Sequence, residues 1–272
     1  MKFKKIVGIG DSWTFGEGSV NLSDKEAQKL QSDTSETVLN VSKKYYDKVT
    51  KHSWVKKLSD LYDCDYKVIA VPGCSNESIM NKIYKHKKEF DRKTLVVIMW
   101  SSKFRDKLLA LPSFDITESL DRWMFRSEDM ILSEEMHHKW TDIGSDDYWK
   151  WFKKYFITDL FNQEILNYYT TIYKIFVQKY CEQNNIPYVM CNAFEACTSK
   201  NKIIPIDKVD KKYYYNFDLS LFDDLKVINK PLFEGDVNFY GKKYKNGLHP
   251  NNLGYQVIAQ TLKKFIDAVH SK

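Results

Sequence analysis

The run from Thr94 to Trp100 (Thr-Leu-Val-Val-Ile-Met-Trp) is apolar throughout and β-branched at its centre. A strand with no polar alternation must be covered on both faces, so it asks for a sheet with helices on either side. Lys5 to Gly10 has the same character and ends in glycine. Tyr66 to Val71, closed by Pro72-Gly73, and Tyr188 to Cys191, introduced by Ile186-Pro187, read as two further strands. Helical spacing lies between them. Trp54, Val55, Leu58 and Leu61 share one face. Ser75 is placed to cap a helix with Glu77 and Ser78 in its first turn and Ile79 and Ile83 buried. Phe161 to Asn184 and Asn252 to His270 are long amphipathic helices, the second carrying Val257, Ile258, Leu262, Phe265, Ile266 and Val269. Strands alternating with helices predict an α/β fold built on a parallel sheet.

At 272 residues the chain fits one large domain, 1–272. Two segments break the alternation. Residues 101–159 hold Trp123, Trp140, Trp149 and Trp151 among charges with no clean period, and are expected to form an inserted helical lid or subdomain. Residues 198–247, rich in lysine and tyrosine, read as an irregular insertion with weak strand hints at Leu225–Val227 and Val237–Tyr240. Val20 to Lys51 is polar, a loop with a partial helix.

Composition narrows the function classes. A net charge of +6 is modest for this length and lacks the clustering of a nucleic-acid footprint. No apolar run approaches the roughly 18 residues of a membrane helix, and the apolar part of the N-terminus is too short for a signal peptide, so a cytoplasmic protein is expected. Five cysteines, Cys64, Cys74, Cys181, Cys191 and Cys197, include no Cys-x-x-Cys spacing and read as structural thiols. His137-His138 lacks the spacing of a metal site and is expected in solvent. Gly8-Ile9-Gly10-Asp11-Ser12-Trp13 lacks the third glycine of a dinucleotide fingerprint, and there is no P-loop. Neither a cofactor nor a metal is expected.

Parallel sheets gather their sites beyond the carboxyl ends of the strands. Ser12, Gly73 and Ser101 each follow directly on a strand and should meet there. Gly10 is expected to open the turn into Ser12 by its backbone freedom. A serine hydroxyl is a poor nucleophile until an imidazole takes its proton, and His249, in Leu248-His249-Pro250 before the last helix, is the candidate base.

Three blocks carry a resemblance: Gly10-Asp11-Ser12-Trp13, Pro72-Gly73-Cys74-Ser75-Asn76, and His249-Pro250-Asn251 with Gly254. Together they resemble the SGNH (GDSL-type) serine hydrolases and esterases. Pro-Gly-x-Ser-Asn and Trp-Ser-Ser-Lys-Phe-Arg also look like members from tailed phages. The resemblance implies a three-layer α/β/α sandwich, flavodoxin-like, with a five-stranded parallel sheet. It implies Ser12 as nucleophile, His249 as base and Gly73 as a backbone donor to the oxyanion hole beside the N–H of Ser12. The implied activity is that of a carboxylic ester hydrolase on a small O-acyl group, acetyl-like, carried by a carbohydrate or other polar molecule. An inactive binding protein and an O-acyltransferase are the alternatives.

Two positions depart from the family pattern. No asparagine follows the third strand, where Trp100-Ser101-Ser102 stands; Ser101 or Ser102 could supply the third oxyanion donor, or Asn76 from the neighbouring loop, which is favoured. Three residues before His249, where the family places an aspartate, stands Asn246. A backbone carbonyl or Asp236 could orient the imidazole instead, giving a Ser-His dyad or an atypical triad.

Overall fold

A computed structural model of the protein describes residues 3–20, 43–103, 163–196, 203–228, 232–233, 237–239, 242–244 and 249–270. Cys197, Asp236, Asn246, His137, His138, the four tryptophans from 123 to 151, nearly all of the expected 101–159 insertion and part of 198–247 lie outside these residues.

Four strands run parallel: β1 (Lys5–Gly10), β2 (Asp65–Ala70), β3 (Thr94–Trp100) and β4 (Tyr188–Asn192), in the order β2-β1-β3-β4. Gly10 lies opposite Ala70, Ile9 opposite Ile98 and Trp100 opposite Asn192, so the carboxyl ends finish level at one edge. Among the described residues the α-helices are α1 (Ser12–Phe15), α2 (Lys43–Thr50), α3 (Trp54–Tyr62), α4 (Asn76–Lys85), α5 (Gln163–Gln183), α6 (Leu221–Lys226) and α7 (Asn252–His270). No helix among the described residues is long and apolar enough to cross a membrane.

The two-residue period of each strand sorts its side chains into two cores. Leu95, Val97 and Met99 of β3 pack with Trp54, Val55 and Leu58 of α3 and with Ile258, Leu262 and Ile266 of α7. Val96, Ile98 and Trp100 face the other way, onto Ile79 and Ile83 of α4 and Val177 and Cys181 of α5. Every residue of β3 is buried, as its uninterrupted apolar sequence requires. Each large aliphatic side chain taken out of water there contributes roughly 1.5–3 kcal/mol. The layers are α/β/α.

A fifth strand is expected; among the described residues the parallel sheet holds four. Beyond β4, Tyr214 forms a single parallel bridge with Met190, and the Tyr215 N–H donates to the Met190 carbonyl at 2.8 Å. The strand hint at Leu225–Val227 is corrected. Leu225 and Lys226 belong to α6, because Ser220 and Asp223 form a reciprocal capping box that starts a helix there, and Val227 points into solvent. Val237–Phe239 is a strand (β5), but it pairs antiparallel with Lys242–Tyr244 (β6) and not with the main sheet.

Candidate active site at the carboxyl edge of the sheet

β1 ends at Gly10, Asp11 caps α1, and Ser12 is the first residue of that helix. The need for glycine at position 10 is steric and not, as expected, conformational. Its φ is not positive, whereas a Cβ there would sit 2.1 Å from Thr14 Oγ1 and 2.9 Å from the Met99 carbonyl. Asp11 accepts from the Trp13 N–H at 3.1 Å through one carboxylate oxygen and from the Ser101 hydroxyl at 2.6 Å through the other. The turn after β1 is thereby tied to the turn after β3, the two strands between which the order of connections reverses. Trp13 is fully buried, with Phe194 at 5.1 Å and Phe222 and Phe233 at 6.1 and 6.4 Å between ring centroids. This aromatic cluster holds the turn against the chain that leads to α7.

The sequence block His249-Pro250-Asn251-x-x-Gly254 is explained residue by residue. Pro250 forms an antiparallel bridge with Phe233, and the Asn251 N–H donates to the Leu232 carbonyl at 2.8 Å. The Asn251 side-chain oxygen accepts from the N–H groups of Leu253 and Gly254, each at 3.0 Å, capping α7. Gly254 packs against the Leu232 carbonyl, which a Cβ would approach to 2.3 Å. Held in this way, His249 brings Nε2 to 3.0 Å from Ser12 Oγ, across 237 positions of sequence. Ser12 is 3% exposed. The His249 side chain keeps 15% of its surface in solvent and Glu17, beside it, 27%.

Glu17 is the site residue that sequence reasoning missed. Its carboxylate Oε2 lies 3.5 Å from His249 Nε2. Its N–H donates to the Ser12 carbonyl at 3.0 Å, and its carbonyl accepts from the Tyr255 hydroxyl of α7 at 2.6 Å. Gly16 and Gly18 on either side have φ of +99° and +88°, so the chain curls back over Ser12. A single acidic residue bracketed by two glycines just after Ser12 was the available signal.

The remaining expected residues gather at the same edge, in other roles. Gly73 has φ +80°, a left-handed conformation that favours glycine, and it is buried in the turn after β2. Asn76 does not hold a free amide over Ser12. Its Nδ2 donates to the Ser101 carbonyl at 3.1 Å and lies 3.5 Å from Thr170 Oγ1, while its Oδ1 accepts from the Ser101 N–H at 2.8 Å. This two-way amide pairing braces the loop after β3, the work that a strand partner would otherwise do. Ser101 gives its hydroxyl to Asp11, and Ser102 gives its own to Glu195 at 2.7 Å. Cys74 is fully buried and donates to the Gly10 carbonyl at 3.2 Å, so it does not line an open pocket. In the same core as Cys74, burial pushes the Cys181 thiol up to about 12. A groove beside Asn76 is lined by Glu77, Lys103, Leu166, Tyr169, Thr170 and Tyr173, with the rings of Tyr169 and Tyr173 stacked at 22°.

Neither a protein-family model nor a curated protein matches the sequence. Among solved structures the chain is similar to a carbohydrate esterase with divergent catalytic and non-catalytic binding functions in its active site (12% identity, TM-score 0.48, covering 100% of this chain and 70% of the other). It is similar also to a carbohydrate esterase family 2 enzyme with a carbohydrate-binding domain from Corynascus thermopiles (Myceliophthora fergusii), at 13% identity and a TM-score of 0.46, covering 99% and 67%. A third similar structure, from Desulfitobacterium hafniense, is assigned to the lipolytic G-D-S-L family (11% identity, TM-score 0.43, covering 96% and 99%). The chemistry of this site rests on its own geometry.

Proposed function

We propose that the protein is a serine ester hydrolase of the SGNH type, acting on a small O-acyl ester of a carbohydrate or other polar molecule. The observation that carries this reading is the 3.0 Å contact between Ser12 Oγ and His249 Nε2, within the range a general base needs. Ser12 Oγ attacks the ester carbonyl as Nε2 takes its proton. The tetrahedral intermediate collapses, the alcohol leaves with that proton, and the acyl group stays on Ser12. Water, deprotonated by the same imidazole, then adds to the acyl-enzyme; the bond to Ser12 Oγ breaks as the imidazole returns its proton there, and the acid is released. The backbone N–H groups of Ser12 and Gly73 are assigned to the developing oxyanion. A Ser12 only 3% exposed favours a small acyl group.

The test is direct. The purified protein is expected to hydrolyse p-nitrophenyl acetate and to take a fluorophosphonate label, and Ser12→Ala to lose both. Equal behaviour of the two proteins would overturn the assignment. Binding of a sugar ester without turnover would mark a binding protein, and transfer of the acetyl group to an added alcohol a transferase.

A further inference from the structure

We infer that Glu17 is the carboxylate partner of His249: a positioning residue that stabilises the imidazolium from the Nε2 side. The inference rests on the reading of Ser12 and His249 as nucleophile and base. When His249 accepts the serine proton, the new N–H forms on Nε2, the atom 3.5 Å from Glu17 Oε2. The carboxylate is therefore next to the positive charge at the moment it appears. Among the described residues, Ser12 Oγ from α1 and Glu17 from the turn behind it face Nε2. Both partners are largely withdrawn from water, with 15% and 27% of their side-chain surfaces exposed, so the attraction is less screened than in a surface pair.

The approach is held by the backbone and is not left to a flexible side chain. The N–H of Glu17 is bonded to the residue carrying the nucleophile, and its carbonyl to Tyr255 on the helix that follows the base. Tyr255 itself is fully buried. Both bonds use main-chain atoms of residue 17, so exchanging its side chain for glutamine leaves them available. The position also differs in kind from that of a carboxylate on Nδ1. It supplies charge to the imidazolium on the reacting side, where substrate and leaving group also arrive, and so acts on the charged state of the base more than on its tautomer.

An opposite charge at this distance favours the protonated imidazole, so removing it must lower the pH at which His249 titrates. The expected shift for Glu17→Gln is about one pH unit downward, with Glu17→Asp remaining near wild type. The measurement is an NMR titration of the His249 imidazole C–H, identified by its loss in His249→Gln. It is made in the wild-type and Ser12→Ala backgrounds, so the readout does not depend on turnover. In the active enzyme the acid limb of kcat/KM should move down in parallel, with kcat about tenfold lower on the plateau and KM little changed. That tenfold corresponds to one pH unit of lost stabilisation. An unchanged His249 midpoint in Glu17→Gln would overturn the inference. A shifted midpoint in a protein that takes no fluorophosphonate label would uphold the pair and overturn the hydrolase reading instead. If Glu17→Gln melts early, the Asp variant decides: a midpoint near wild type supports the charge, and one as low as that of the Gln variant overturns it.

Discussion

Two polar clusters sit near the carboxyl edge of the same sheet, and they are built differently. At the end of β4, Lys174 of α5 is 1% exposed, and its ammonium donates to Asn192 Oδ1 at 3.1 Å. The same oxygen accepts from the Tyr214 hydroxyl at 2.5 Å, and Asn192 Nδ2 donates to the carbonyls of Phe217 and Leu219 at 3.3 and 3.0 Å. The ammonium also lies 5.0 Å from the Tyr214 ring centroid, a favourable seat for a cation. At the end of β1, Ser12, His249 and Glu17 touch one another, but the imidazole and the carboxylate keep part of their surface in water. The first cluster spends its polar groups on holding the segment from Tyr214 to Leu219 to β4 and α5. The second leaves an open side. Completely enclosed polar groups fix a fold, whereas partly open ones are available to a substrate.

The largest effect that would sharpen this contrast is on rate. His249→Ala should reduce ester hydrolysis by on the order of 10⁴-fold or more while moving the urea midpoint little. A large loss of stability with retained turnover would place His249 in the fold and not in the chemistry. Lys174→Ala should do the reverse, lowering unfolding free energy by about 2–4 kcal/mol through lost packing and a lost charge-assisted bond. Activity per folded molecule should stay within about twofold of wild type, read from denaturation curves beside active-site titration.

Ser101→Ala probes the boundary between the clusters. Removing the donor to the buried Asp11 carboxylate should cost about 1.5–3 kcal/mol. The fall in kcat should stay below the roughly hundredfold expected on losing an oxyanion donor, and a larger fall would return Ser101 to the oxyanion hole.

The smallest effect lies far from both. Lys67 and His86 hydrogen-bond to Glu89 and hold its carboxyl at about 2, below the ordinary 4.5. A depressed carboxylate adds stability above its unfolded value and loses it as pH falls through the folded one. Glu89→Gln should therefore cost less than about 1 kcal/mol at neutral pH, because the pair is largely solvated. Melting curves of the two proteins should converge as pH falls from about 4.5 to 2.

The difference between the clusters also explains what could be read in advance. The Ser75 cap and the period of β3 lie within a few residues of sequence, so their physics is local and visible. Ser12 was legible because it follows a strand whose direction the alternation sets, and His249 through the resemblance of its block to the SGNH pattern. Asn76 was misplaced as an oxyanion donor because an amide's partner depends on what lies across the loop, here the backbone of Ser101. The weak strand hint at Leu225–Val227 gave way to the capping box of Ser220 and Asp223, which starts a helix that ends at Lys226.

By itself the sequence determined the alternation of strands and helices, the edge at which Ser12, Gly73 and Ser101 collect, and the Ser75 cap that starts α4. These follow from apolar periodicity, chain direction and hydrogen bonds between near neighbours. Only the tertiary structure decided that the Glu17 carboxylate meets the imidazole, which amide braces the loop after β3, and how Tyr214 bridges to β4. Those contacts join groups far apart along the chain, and no local preference encodes a partner brought near only when two layers pack on one sheet.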